Sequence, residues 1–170
     1  MMFVYMETES CIPFIFNQHI MDLTYKLIDD SPSFEAFRSL LKASGLPADD
    51  LNFNKDLLVG YFEGNALVGT GGLEIYGDYG LLRSLSVKMG IRGKSVGTNI
   101  TEYLIDEAKH KRLKAIYLLT ETASGFFQKR GFKILPRKEV PDELKVSSEF
   151  SKVCPESAVA MVLDLTNDQN

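Results

Sequence analysis

The pattern of apolar and polar positions predicts alternating strands and helices. Short apolar runs between Gly-, Asp- and Asn-containing turns are typical of strands, and apolar positions three and four residues apart are typical of helices. The predicted strands are 24–28, 57–62, 66–76, 81–87, 115–120, 132–135 and 158–165. The predicted helices begin at the pair Ser31–Pro32, which we interpret as N-cap and first helical residue, after Gly97, and over 123–130.

The connections between these elements predict the topology of the sheet. Strands 57–62, 66–76 and 81–87 are joined by short turns, so they are expected to be antiparallel. Strand 115–120 follows a helix and is expected to return by a right-handed crossover, parallel to strand 81–87. We therefore predict an α/β fold with one mixed, mostly antiparallel sheet, a central parallel strand pair and flanking helices.

Composition predicts one domain. The chain has 170 residues and 45% hydrophobic content, enough for a single core. We assign this domain to 21–166, a polar tail to 167–170, and an N-terminal arm to 1–20, which is either packed on the domain or disordered. The arm has no basic leader region, so neither a signal peptide nor a membrane partner is expected. Two cysteines give no disulfide framework, and a cytoplasmic location is the expectation.

The charge is unevenly distributed along the chain. Residues 83–114 contain eight Lys/Arg and three acidic residues, a net +5 in a chain whose total is −4. A local basic segment on an acidic protein favours a compact polyanionic cofactor over long nucleic acid, which needs an extended basic face. No nucleic-acid partner is expected.

The segment after strand 81–87 has the pattern of an anion-binding turn. Its residues Arg92-Gly-Lys-Ser-Val-Gly97 lead into a helix, whose first N–H groups have no internal partner and whose dipole adds positive potential. A nucleotide P-loop requires glycine five residues before Gly93, where the chain has Lys88. The pattern [QR]-x-x-G-x-[GA] fits better, with Arg92 first, Gly97 last and Ser95 at the usual middle glycine.

These motifs resemble the GNAT superfamily of N-acetyltransferases. A second matching motif is FFQKRGF at 126–132, similar to the family's [FL]-Y-x-x-x-G-F, with Phe127 at the tyrosine position. The segments LLRSLSV and YLLTETASGFFQKRGF look most like the arsenic-resistance N-acetyltransferases of ArsN type, which resemble amino-acid N-acetyltransferases.

The resemblance implies acetyl-CoA as co-substrate, without a metal. It places the pantetheine along strand 81–87 and the pyrophosphate on the turn that follows. The implied cofactor-binding residues are Leu85, Ser86, Val87, Arg92, Gly93, Lys94, Ser95, Val96, Gly97, Thr98 and Phe127. The N–H of Val87 is a candidate donor to the oxyanion. Because Phe127 replaces the tyrosine acid, the thiolate is expected to leave without it, helped by the low pKa of a thiol, near 8.5.

Catalytic and acceptor-binding residues are hypotheses. Glu74 is the first candidate general base, and the alternative is that it is a solvated carboxylate on the strand. Glu121 is the second candidate, and the alternative is that it is an acid at a helix N-terminus that balances the dipole. Arg83 interrupts an apolar strand and is a candidate clamp for a substrate carboxylate, against a structural ion pair with Glu74 or Glu121. Ser84 and Thr120 are weaker candidates for the substrate-binding wall.

The expected activity is acetyl transfer to the amine of a small molecule, an amino acid or an arsenical or phosphinic analogue. The protein is expected to act as a monomer or homodimer. A protein or polyamine acetyltransferase, and a catalytically silent acyl-CoA-binding regulator, are the alternatives. The segment 137–157 is long for a connection and is predicted to form a wall of the substrate site.

Overall fold

The fold is described from a computed structural model, which covers residues 23–153, 155 and 157–166. The predicted N-terminal arm, the C-terminal tail and Cys154 lie outside this part of the chain. The elements in chain order are β1 (Leu23–Leu27), α1 (Ser31–Ala43), β2 (Leu57–Glu63), β3 (Ala66–Tyr76), β4 (Tyr79–Val87), α2 (Val96–His110), β5 (Ala115–Thr120), α3 (Ser124–Gln128), β6 (Lys133–Leu135), α4 (Asp142–Lys145) and β7 (Val159–Asp164).

The strands form one seven-stranded sheet in the order β1-β2-β3-β4-β5-β7-β6. All neighbours are antiparallel except β4 and β5, which are parallel. The predicted fold class is confirmed. The right-handed twist of strands and the rule on crossovers leave few other ways to connect these elements.

Several predicted boundaries differ from the structure by one to three residues. The N-cap of α1 is Asp30 rather than Ser31, because the Asp30 carboxylate accepts a hydrogen bond from the Ser33 N–H at 2.8 Å. Strand β4 begins at Tyr79 because that residue already pairs with Tyr76 and Ala115. Helix α3 ends at Gln128, and Arg130 and Gly131 continue it only with bonds to carbonyls three residues earlier.

Helix α2 packs on one face of the sheet through Val96, Ile100 and Leu104, which are almost fully buried. The strand beneath it has glycines at the contact. A Cβ on Gly71 would lie 2.4 Å from Ile100 Cγ2 and 3.0 Å from Leu104 Cδ1. The backbone of β3 therefore approaches α2 more closely than a side chain would allow. Helix α1 covers the opposite face with a second apolar cluster around Phe37 and Leu41.

The connection between β6 and β7 is more structured than predicted. It contains a 3-10 turn at Arg137–Glu139, helix α4 and a π-helical segment at Glu149–Val153. Val140 and Leu144 are buried against Leu81 and Tyr117 of the central strands. Apolar residues spaced along a polar segment thus attach it to the sheet.

We predict that Gly71→Ala lowers the free energy of unfolding by about 1–3 kcal/mol, because the added methyl overpacks the contact with Ile100. Gly90→Ala is the matched control, since a Cβ there has no atom within 4 Å. The measurement is urea unfolding followed by far-UV circular dichroism, since the chain contains no tryptophan. Equal midpoints for the two variants would contradict the close contact.

Candidate active site

Strands β4 and β5 separate in the middle of the sheet. They pair only over Tyr79↔Ala115, Gly80↔Ile116 and Leu81↔Tyr117. Beyond these residues, β4 continues on β3 as far as Val87, and β5 continues on β7 as far as Thr120. The C-terminal half of β4 therefore has one backbone edge along which no described strand lies. Such an edge offers donors and acceptors to an extended ligand.

A bulge in β4 accompanies this separation. Its register on β3 shifts between Thr70 and Gly72, and Ser84 has a positive φ of 59°. The Thr70 hydroxyl donates a hydrogen bond to the Ser84 carbonyl at 2.9 Å, which holds the bulge in place. Bulges bend the strand that carries them and redirect its side chains. The bulge thus turns the second half of β4 away from β5.

Val87 directs its backbone groups into the opening. The Lys88 N–H bonds to the Val68 carbonyl at 2.8 Å, which makes Lys88 and Val68 a hydrogen-bonded pair. In an antiparallel ladder the adjacent residue then faces the other side. The Val87 carbonyl accepts a hydrogen bond from Arg92 Nε at 3.0 Å. The Val87 N–H consequently points towards the gap between β4 and β5.

The N-terminus of α2 lies at the mouth of this gap. The turn before it contains Gly93 at φ 80° and Ser95 at φ 62°, ψ 5°, so Ser95 adopts the left-handed conformation that glycine takes more easily. The side chain of Ser95, the N-cap residue, makes no capping hydrogen bond to the helix. The N–H groups of Val96, Gly97 and Thr98 belong to the first turn and have no partner within the helix. These groups and the helix dipole favour an anion at this point.

These features border a cleft of about 820 Å³. Nine of the predicted cofactor-binding residues line it: Leu85, Ser86, Val87, Arg92, Gly93, Ser95, Val96, Gly97 and Thr98. Lys94 lies within the turn and is exposed, but it does not line the cleft. Phe127 is 4% exposed and packs in the core against Phe132, so it does not reach the cleft wall; its neighbour Phe126 does.

The cleft also contains residues that the sequence analysis missed. They include Ser44, Leu46, Thr122, Phe126, Lys129 and Arg130. Phe126 and Arg130 lie within the FFQKRGF motif, so their position was a usable signal. Ser44 comes from the end of α1 and meets Ser86 with an Oγ–Oγ distance of 2.6 Å, a contact that only the tertiary structure creates.

Arg83 lies at the centre of a buried ion network. Its guanidinium contacts Asp50 at 2.6 Å, Glu74 at 2.5 Å and Glu149 at 3.1 Å, and its side chain is completely shielded from solvent. Burial lowers the pKa of Arg83, but the hydrogen bonds and charges of the carboxylates outweigh burial and raise it. Arg83 is thus paired with Glu74, one of the two structural partners that the sequence left open.

This network connects four separate segments of the chain. Asp50 belongs to the loop after α1, Glu74 to β3, Arg83 to β4 and Glu149 to the segment before β7. The Ser148 hydroxyl also bonds to Asp50 at 2.6 Å. Three carboxylates therefore surround one guanidinium. It is not part of the cleft wall.

The two candidate bases have different environments. Glu74 is buried and accepts hydrogen bonds from Arg83 and, at 2.5 Å, from the Tyr76 hydroxyl. Burial, followed by this contact, raises the pKa of Tyr76. Glu121 is exposed and lies 3.4 Å from the Ser157 hydroxyl. Neither carboxylate lines the cleft.

The two weaker candidates for the substrate-binding wall are also outside the lining. The Thr120 hydroxyl accepts the Ala123 N–H at 3.0 Å and so supports the start of α3. The Ser84 hydroxyl is buried and has no hydrogen-bond partner among the described residues. Within the same part of the chain, no group of three or more His, Cys, Asp and Glu side chains is arranged to hold a metal ion, and no helix has the length and apolarity needed to cross a membrane.

The parallel strand pair thus opens onto the N-terminus of a helix, so that a free backbone edge and an anion-binding helix end lie side by side. Residues 21–132 match the acetyltransferase (GNAT) family. Because this match covers more than half of the 170 residues, the chain belongs to the acetyltransferase (GNAT) family.

Solved structures share this fold. N-acetylglutamate synthase from Neisseria gonorrhoeae, complexed with coenzyme A and N-acetyl-glutamate, matches with a TM-score of 0.69 and 16% identity over 84% of this chain and 35% of that one. This protein therefore spans about a third of the length of the synthase.

Two shorter proteins match over nearly their whole length. A GNAT-family acetyltransferase from Staphylococcus aureus has a TM-score of 0.67 and 19% identity, over 84% of this chain and 99% of that one. An aminoglycoside 6'-N-acetyltransferase complexed with coenzyme A has a TM-score of 0.63 and 17% identity, over 83% and 96%. At these identities the similarity shows the fold.

We predict an acid-dependent loss of stability that comes from Asp50. Burial raises the pKa of Asp50, but hydrogen bonds from Arg83 and Ser148 lower it more, and the result is below the ordinary value. A lowered folded-state pKa stabilises the fold above the unfolded value, near 3.9, and this contribution disappears as the pH falls through the folded-state pKa. The parent should therefore be more stable than Asp50→Asn at neutral pH, and the difference should shrink below about pH 4.

Asp56→Asn is the contrasting variant. Burial raises the pKa of Asp56. Its protonated form therefore stabilises the fold at low pH, and this contribution is lost as the pH rises through the raised pKa. Any gain from Asp56→Asn should appear at neutral pH and fade on acidification. The measurement is urea unfolding across the pH range; a parent-to-Asp50→Asn difference that does not change with pH would contradict the assignment.

Proposed function

We propose that this protein transfers the acetyl group of acetyl-CoA, bound in the cleft between β4 and β5, to the amine of a small molecule. The observation that supports this most is the meeting of the uncovered β4 edge with the N-terminus of α2. Pantetheine amides are suited to the edge, and the pyrophosphate is suited to the helix N–H groups and Arg92.

The reaction requires a neutral amine to attack the thioester carbonyl, a donor for the oxyanion of the tetrahedral intermediate, and departure of the thiolate. We assign the oxyanion donor to the Val87 N–H, because it points into the gap and is held by its strand. Glu74 stays the proposed base, acting through water, since its carboxylate is outside the cleft wall. Because Phe127 packs in the core, no role in thiolate protonation is proposed there.

The acceptor has two candidate classes. Amino acids and their arsenical or phosphinic analogues follow from the resemblance to ArsN-type enzymes. An amino acid would have to displace a carboxylate from Arg83 to use it as a clamp, because three carboxylates already contact the guanidinium. The carboxylates already bound to Arg83 therefore favour the second class, amines without a carboxylate, such as polyamines.

We predict that Gly97→Glu abolishes binding of coenzyme A, measured by calorimetry. A carboxylate about 4 Å from a phosphate repels it by about 4 kcal/mol at an effective dielectric constant near 20, which corresponds to at least a hundredfold loss in affinity. Gly97→Ala is the control, because a Cβ there would meet Val87 and Phe126 at ordinary distances of 3.5 and 3.6 Å. Tight binding by a folded Gly97→Glu variant would refute the assignment of the cleft.

The acceptor class is tested by thiol release from acetyl-CoA across amino acids, their phosphinic analogues, polyamines and peptides. We expect turnover with small-molecule amines. Selective turnover of amino acids that is lost in Arg83→Lys would support the clamp, whereas preference for polyamines would support the second class. Binding of coenzyme A without turnover of any amine would instead favour a silent regulator.

A further inference from the structure

Arg130 connects the two walls of the cleft. Its guanidinium carbon lies 3.5 Å from the centroid of the Phe126 ring, and one Nη donates to the Phe126 carbonyl at 2.7 Å. The other Nη donates to the Thr98 hydroxyl. Phe126 belongs to α3 and Thr98 to the first turn of α2. One side chain therefore holds both elements.

The Phe126 ring occupies the space between Arg130 and the anion-binding turn. Its Cζ atom is 3.6 Å from the position that a Cβ on Gly97 would occupy. The ring is thus held between the guanidinium on one face and the start of α2. Arg130, Phe126, Gly97 and Thr98 all line the cleft.

Folding stability alone would not favour an arginine at the position of Arg130. Its Nε is buried and has no hydrogen-bond partner among the described residues. An unpaired buried donor has a cost in free energy, which a Leu or Met at this position would avoid. The planar fork nevertheless reaches a carbonyl and a hydroxyl through two separate nitrogens while its face lies on the Phe126 ring, an arrangement that a lysine ammonium cannot reproduce.

We propose that Arg130 is a positioning residue for coenzyme A. By fixing Phe126 and the Thr98 hydroxyl together, it sets the spacing between α3 and the first N–H groups of α2, and so keeps those groups aimed at the phosphates. This inference rests on the proposed binding of coenzyme A in the cleft. It adds a residue whose role depends on the shape of its guanidinium rather than on its charge alone.

The test measures the affinity of the full-length protein for coenzyme A by calorimetry, so that no acceptor is needed. Arg130→Met should weaken affinity by about tenfold, the loss expected from removing a hydrogen bond that a charged group donates. Arg130→Lys should not restore it, because an ammonium donates from one nitrogen and has no planar face to lie on the Phe126 ring. Lys133→Met removes a nearby cation that is exposed and does not line the cleft, and it should change affinity by less than about threefold.

Thr98 provides an independent test that leaves Arg130 in place. Thr98→Val removes only the hydroxyl and should weaken binding as Arg130→Met does, whereas Thr98→Ser should keep the parent's affinity. The double variant Arg130→Met with Thr98→Val should be no weaker than the single variants, because both break one connection. In steady-state assays the KM for acetyl-CoA should rise while kcat stays constant.

The outcomes separate this inference from the proposed function. A parent protein that does not bind coenzyme A overturns both. A parent that binds, with Arg130→Met and Thr98→Val binding equally well, overturns only the role of Arg130. Full rescue by Arg130→Lys, together with an equal loss in Lys133→Met, would show that Arg130 acts as a plain cation and would also overturn it. If Arg130→Met fails to fold, the Thr98 pair decides.

Discussion

The structure depends on the separation of two parallel strands. A strand has two edges, and where β4 stays on β3 while β5 stays on β7, each leaves one edge without a described partner. The polar groups of that edge need hydrogen bonds, because unpaired backbone groups are costly once water is excluded. The bulge at Ser84 bends β4 away from β5, and the Val87 N–H points into the resulting gap. The cleft therefore exists because β4 and β5 stop pairing partway along their length.

The segments around the opening must also be held in place, and a buried ion network outside the cleft wall joins several of them. Arg83 joins the loop after α1, the strand β3 and the segment before β7 through three carboxylates. Such clusters are weak contributors to net stability but are costly to break, since any lost partner leaves a buried charge. They therefore fix the arrangement of the segments they join. That role accounts for a charged residue within an otherwise apolar strand.

On the cleft side, the anion-binding turn and α3 form a second unit. The first N–H groups of α2 are useful only if they point at one place, and helix ends fray unless something holds them. Ser95 accepts a left-handed conformation to start the helix, and Phe126 packs over Gly97. The fixed positions of these N–H donors matter more than the total charge of the turn, because the phosphates of a bound ligand must meet several donors at once.

The sequence alone determined the order of elements, the parallel pair and most of the anion-binding turn. These follow from local rules: the spacing of apolar residues, turn chemistry, the handedness of crossovers, and the glycines near a helix start. The tertiary structure alone decided which face each side chain takes. It placed Phe127 in the core and Phe126 in the cleft, brought Ser44 to Ser86, and surrounded Arg83 with Asp50 and Glu149. These contacts join residues far apart in the chain, and a bulge that shifts the register of a strand by one residue reverses its side chains. The local pattern of apolar and polar residues contains no information about these long-range contacts or about the position of the bulge.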